Sequence, residues 1–202
     1  MNQYQFLRKF IFSLFIILVA CDSNSTSIPD EEVHSISFEN GQEQIYSISI
    51  DNETIGTNNV TITTGIQRTI DDVSYSFVIE YKETVEFSDS TGELNTYFKE
   101  YADGHIYFSW ENGPIQYKFI PFPIKYGESL YGPFGILNTD SILITITNFH
   151  DTYINHNNHS FSNVFEAENS SGTIRVFINE DYFIIQKEDY RYGTTIQSLI
   201  LE

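Results

Sequence analysis

The chain has 202 residues and one cysteine, with 10 Lys and Arg against 28 Asp and Glu, for a formal net charge of −18. A lone cysteine rules out an internal disulfide and a Cys-based zinc or iron–sulfur centre. The acidic excess argues against a nucleic-acid partner and against electrostatic docking on anionic lipid, and the length is that of one domain.

The first segment reads as an address. Residues 1–20 carry the basic pair Arg8-Lys9, then the apolar run Phe10 to Ala20, as in a secretory signal peptide. That run is about half of the ~20 apolar residues a spanning helix needs. Leu18-Val19-Ala20-Cys21 resembles the lipobox of bacterial lipoproteins. The resemblance implies cleavage before Cys21, diacylglyceryl attachment to its sulfur, and a fatty acyl group such as palmitate on the new amino group. Cys21 is thus the expected lipidation site and the membrane the expected partner; several acyl chains anchor stably where one does not. Cleavage would remove Arg8 and Lys9 but no acidic residue, taking the charge from −18 to −20. Residues 21–31 read as the lipidated cysteine and a flexible Ser/Asn-rich tether. Residues 32–202 read as the folded domain.

That domain is rich in Ile, Thr, Tyr, Phe and Val, poor in alanine, and period-two in pattern. In chain order, His34–Phe38 alternates, Asn40-Gly41 supplies a hairpin turn, and Gln44–Ile50 returns. Val60–Thr63 is a short strand candidate. Ser74–Phe87 is long, straight or bent by a bulge, with Tyr75, Phe77, Ile79 and Tyr81 on one face. Leu94–Tyr101, His105–Trp110 and Ile115–Ile120 follow, then Ser141–Thr147, Thr173–Ile178, Tyr182–Lys187 and Thr194–Leu201. The count of ten to twelve strands with short turns predicts a single antiparallel all-β domain: a curved sheet, half-barrel or sandwich. A transmembrane barrel is disfavoured by the lipobox and by the charged residues on strand faces.

Phe119-Ile120-Pro121-Phe122-Pro123-Ile124-Lys125-Tyr126-Gly127 is similar to a proline–glycine turn of small uncharacterised Gram-negative envelope lipoproteins. Ser160–Phe165, Tyr182–Lys187 and the strand after them resemble later segments of the same proteins in order and spacing. A tryptophan expected after the first motif is absent, with Leu130 and Tyr131 near its place, and His159 stands where a glycine is expected. The resemblance implies a curved antiparallel sheet, half-barrel-like, lipid-anchored to the inner or outer membrane of a Gram-negative envelope. It implies no reaction and no cofactor.

Three chemistries are set against this. Aromatic residues cluster in the middle of the chain. Trp110, Tyr117, Phe122, Tyr126 and Tyr131 are the candidates for lining a concave face toward a lipid, a glycan or an envelope protein. The stretch from Pro121 to Phe134 is the expected loop at its rim. His150, Asp151, His156 and His159 lie in what reads as a polar loop and form a candidate metal set for a cation such as zinc. A polysaccharide-acting enzyme would need two carboxylates roughly 5–10 Å apart in a cleft, and no spacing selects a pair. No GxSxG elbow or phosphate-binding glycine loop occurs. The reading is therefore a non-enzymatic, lipid-anchored envelope lipoprotein that binds a ligand or partner.

Overall fold

The structure is a computed structural model. It describes Ile36 and residues 38–70, 72–101, 106–110, 115, 117–120, 124–132, 142–191 and 193–201. The expected signal peptide, Cys21 and the expected tether lie outside the described residues.

Twelve strands follow in order: β1 (Glu43–Ile50), β2 (Glu53–Ile70), β3 (Val73–Phe87), β4 (Thr91–Glu100), β5 (Ile106–Trp110) and β6 (Tyr117–Ile120). The second half holds β7 (Ser129–Gly132), β8 (Ile142–Ile154), β9 (Ser160–Glu168), β10 (Ile174–Asn179), β11 (Phe183–Asp189) and β12 (Thr195–Ile200). They make one antiparallel sheet in the order β6-β5-β4-β3-β2-β1-β12-β11-β10-β9-β8-β7. Except at β6 and β7, each strand pairs with its neighbour in sequence, and β1 pairs with β12, Tyr46 opposite Leu199. β6 and β7 approach each other at the one seam that the described residues do not seal. The domain is a nearly closed barrel, more strongly curved than the half-barrel the resemblance implies. No helix occurs among the described residues.

Local chemistry explains the corners. Asp51 (φ 50°) and Asn52 (φ 70°) make the two-residue left-handed turn that a tight hairpin needs. β2 is much longer than the expected Val60–Thr63, because Asn58, Val60 and Ile62 all point inward from a polar-looking run. Gly65 (φ 76°) lies at one slip in the β2–β3 register, opposite Ile79, and Phe77 (φ 56°) at the next, opposite Gln67. This is the bulge the length of the strand suggested. It turns Phe77 outward, 78% exposed, instead of into the core.

Alternate residues on the inner face fill the barrel. Phe38, Tyr81, Phe98, Phe108, Phe119 and Phe183 pack edge-to-face or stacked, with Phe98 and Phe119 centroids 5.2 Å apart. Outward, β3 presents Glu80, Lys82 and Glu86. An apolar interior inside a charged wall reverses the pattern of membrane barrels.

One expected loop contains a short strand, and another proves to be largely strand. The stretch from Pro121 to Phe134 contains β7, and the His/Asp segment belongs to β8 as far as Ile154. Only Asn155 to His159 is a turn there. The β8–β9 hairpin runs on beyond β10, bends at Asn163 (φ 52°), and folds over the other face of the sheet. Asn155 Nδ2 donates to Leu199 O (2.8 Å), Asn157 Nδ2 to Ser198 O (2.9 Å), and the His156 amide to Gln186 Oε1 (2.7 Å). The Tyr153 ring stacks on Phe177 at 4.3 Å. β11 is consequently buried on both faces along its whole length.

Candidate functional site

Of the five aromatic candidates, Tyr126 and Tyr131 have described side chains. Tyr126 sits in a turn, 54% exposed, and Tyr131 on β7 is 37% exposed with its ring 6.3 Å from that of Phe108. Trp110 ends β5 and Tyr117 begins β6, but their side chains, and all of Phe122, lie outside the described residues.

The metal candidates are on the page. His150 Nε2 lies 3.0 Å from Glu166 Oε2, Asp151 and His156 are exposed, and the His159 amide donates to Asn155 Oδ1. Among the described residues, no three His, Cys, Asp or Glu side chains come together to hold a metal ion. The asparagines of this segment close the turn and latch it to β12, as the hydrogen bonds above require.

On the same outer face, Arg175 lies between carboxylates. Its Nε is 3.9 Å from Glu166 Oε1 and 3.7 Å from Glu168 Oε2, and its Nη1 is 4.0 Å from Glu188 Oε2. The Tyr190 hydroxyl donates to Glu188 Oε2 at 2.5 Å. Burial, then the Glu188 carboxylate, pushes that hydroxyl up to about 12. These acids are engaged in holding the flap side of the sheet, each beside a cation, an amide or a phenol.

Gln42 Oε1, Asn95 Oδ1 and Arg175 Nε are buried without a hydrogen-bond partner, and three further such atoms gather inside the barrel. On β3, Glu83 continues the inward face of Tyr81; on β2, Asn58 continues that of Val60. Asn58 Nδ2 donates to Glu83 Oε1 at 2.8 Å, and Lys187 Nζ reaches in from β11 to 3.9 Å from the same oxygen. The Lys187 and Glu83 side chains are only 4% and 10% exposed. Gln197 stands opposite Lys187 in the β11–β12 register, and Thr96 stands opposite Tyr81. Asn58 Oδ1, Thr96 Oγ1 and Gln197 Nε2 are buried and find no hydrogen-bond partner. Native interiors leave few such groups, because each unpaired one costs about 1–3 kcal/mol.

Sequence reading missed this cluster, although its parity was visible: Glu83 is two residues beyond Tyr81 on a face already assigned to the core. What the pattern could not show was which distant strand brings the cation.

Above the cluster, the Tyr46 hydroxyl lies 2.7 Å from Ile184 O and 3.4 Å from the Tyr81 hydroxyl. Burial raises both hydroxyls well above the ordinary tyrosine value, and the Glu83 carboxylate raises them further. A folded-state pKa above the unfolded one stabilises fully below the unfolded value, about 10, and that contribution fades as pH rises toward the folded value. Phenolate absorbance should therefore rise in two steps. The first step belongs to solvent-exposed rings, and Tyr46 and Tyr81 ionise only together with alkaline unfolding. Titration of all tyrosines ahead of unfolding would contradict the buried placement.

No protein-family model, no curated protein and no solved structure matches this chain.

Proposed function

We propose that this chain is a non-catalytic binding protein of a Gram-negative cell envelope, anchored through acyl chains on Cys21, whose barrel takes a small polar ligand. The observation that carries the reading is the trio of partnerless buried polar atoms around Lys187 and Glu83. A purely structural interior would be expected to fill with apolar groups or satisfied pairs. Here one end of the interior is packed with aromatic rings, and polar atoms beside it stand ready for a partner. The anchor rests on the Leu18-Val19-Ala20-Cys21 motif. An acidic domain on a lipid anchor is repelled by anionic headgroups and stands off the surface, accessible to solutes.

Two measurements test this. Cys21→Ser should move the protein from the membrane fraction to the soluble fraction, and retention in the membrane would end the anchoring claim. The wild-type chain, purified from membranes in detergent, should gain several degrees in thermal midpoint with at least one small polar solute at concentrations far above its Kd. A ligand that binds only the folded state stabilises it by about 2.7 kcal/mol at 100-fold excess over Kd, or about 2–4 °C per kcal/mol at this size. No stabilisation across amino acids, sugars and organic acids would end the binding claim.

A further inference from the structure

We infer that the ligand is a small zwitterion, an α-amino acid with an apolar side chain, held by the inward cluster of Lys187, Gln197, Glu83 and Asn58; this rests on the binding function proposed above. The cluster is divided by sign across the barrel. On the β11–β12 side, Lys187 and Gln197 occupy one rung of the inner face and both present N–H donors. On the β2–β3 side, Glu83 and the free Asn58 Oδ1 present acceptors. Asn58 has committed its amide N–H to Glu83, which fixes its oxygen as the group left over.

Charge narrows the choice. Among the described residues, the Lys187 ammonium pairs with Glu83 at 3.9 Å, longer than a hydrogen bond, so its donors are best met by an anionic oxygen. A simple anion there would face the Glu83 carboxylate without compensation, and a simple amine would face Lys187. In a desolvated site either mismatch is expensive. A ligand carrying both signs, its carboxylate toward Lys187 and Gln197 and its ammonium toward Glu83 and Asn58, leaves no charge unmatched.

The walls narrow it further. In the register, Gln197 stands beside Ile48, Lys187 beside Val176, and Glu83 between Val60 and Leu94. Ile48, Val60 and Val176 are at most 1% exposed. Lys187, Gln197 and Glu83 are thus each flanked by aliphatic carbon, while Asn58 stands between Tyr46 and Val85. That suits a ligand with a charged head and a hydrocarbon body better than a polyol, whose hydroxyls would meet apolar walls.

Calorimetric titration of the detergent-purified full chain decides it. The probes are L-valine, isobutyrate (no amine), isobutylamine (no carboxylate) and glucose. L-valine should bind saturably, with isobutyrate and isobutylamine at least tenfold weaker. Gln197→Leu removes an Nε2 that finds no partner in the protein and keeps a side chain of similar size, so it should fold and weaken L-valine at least tenfold. Lys187→Met should weaken it more.

Equal binding of L-valine and either single-charge analogue overturns the zwitterion inference, as does unchanged affinity in Gln197→Leu. If glucose binds and L-valine does not, the zwitterion inference falls while the binding function stands. If no probe binds and an experimental structure finds the three unpaired atoms satisfied by ordered water alone, both fall.

Discussion

Lys187→Met alone should destabilise the barrel by about 3–5 kcal/mol, because removing one member of a buried ion pair strands the other. Glu83 would keep the Asn58 amide at 2.8 Å but lose its counter-charge within a site about 90% shielded from solvent. The double variant Lys187→Met/Glu83→Leu should recover most of that loss, since apolar groups of similar size replace a buried pair at little net cost. Urea denaturation of wild type, both single variants and the double completes the cycle. A coupling near zero would mean that the two charges do not share an enclosed site.

Asp189 has a pH signature of its own. Burial alone would raise its carboxyl, and the Arg191 guanidinium and amide overcome this to hold it below the usual range. A folded-state pKa below the unfolded one contributes stability above the unfolded value, about 3.9, that is lost as pH falls through the folded one. Neither substitution of the cycle touches this pair, so the contribution cancels in the coupling.

How far the sequence announces this structure depends on which faces are covered. β1 and β10 are legible because apolar residues recur at period two, and β11 and β12 because short runs holding Ile, Phe and Leu stand between polar turns. β2 is not, since Asn58 breaks the apolar alternation from an inward position where Glu83 satisfies its amide. β8 beyond Thr147 looks like a loop because it carries Asn148, His150, Asp151 and Thr152. It is nevertheless strand, paired with β9, and its tip finds polar partners on the outer face of β11 and β12. Period two also misplaces Phe77, because one left-handed residue shifts the register and exchanges the faces. For the interior cluster, parity predicts an inward Glu83, but Lys187 becomes its neighbour only through closure of β1 on β12. That long-range pairing leaves no local trace.

The aromatic end of the barrel should be as sensitive as the polar end. Phe98→Ala is expected to cost about 3–5 kcal/mol, the range for emptying a large buried ring position whose surroundings collapse only partly. Phe98 is 1% exposed and lies 5.2–6.0 Å, centroid to centroid, from Phe38, Tyr81, Phe119 and Phe183. These rings come from four separate parts of the chain, so no single neighbour can move in to fill the gap. Phe183 is the cross-piece: it begins β11 with φ 66° and reaches the rings of β3, β4 and β6. Phe119 is on β6, the strand at the unsealed seam, where ring packing substitutes for a missing ladder. Loss of the Phe98 ring should therefore weaken the seam first. Hydrogen exchange should accelerate in β5, β6 and β7 before it does in β1, β11 and β12. At this size the thermal midpoint should fall by roughly 6–20 °C. Phe77→Ser, which removes an equally large ring from an exposed position, should change stability by no more than about 0.5 kcal/mol. Equal losses in the two variants, or faster exchange confined to β11 and β12, would refute the view that these interlocked rings close the barrel where backbone pairing stops.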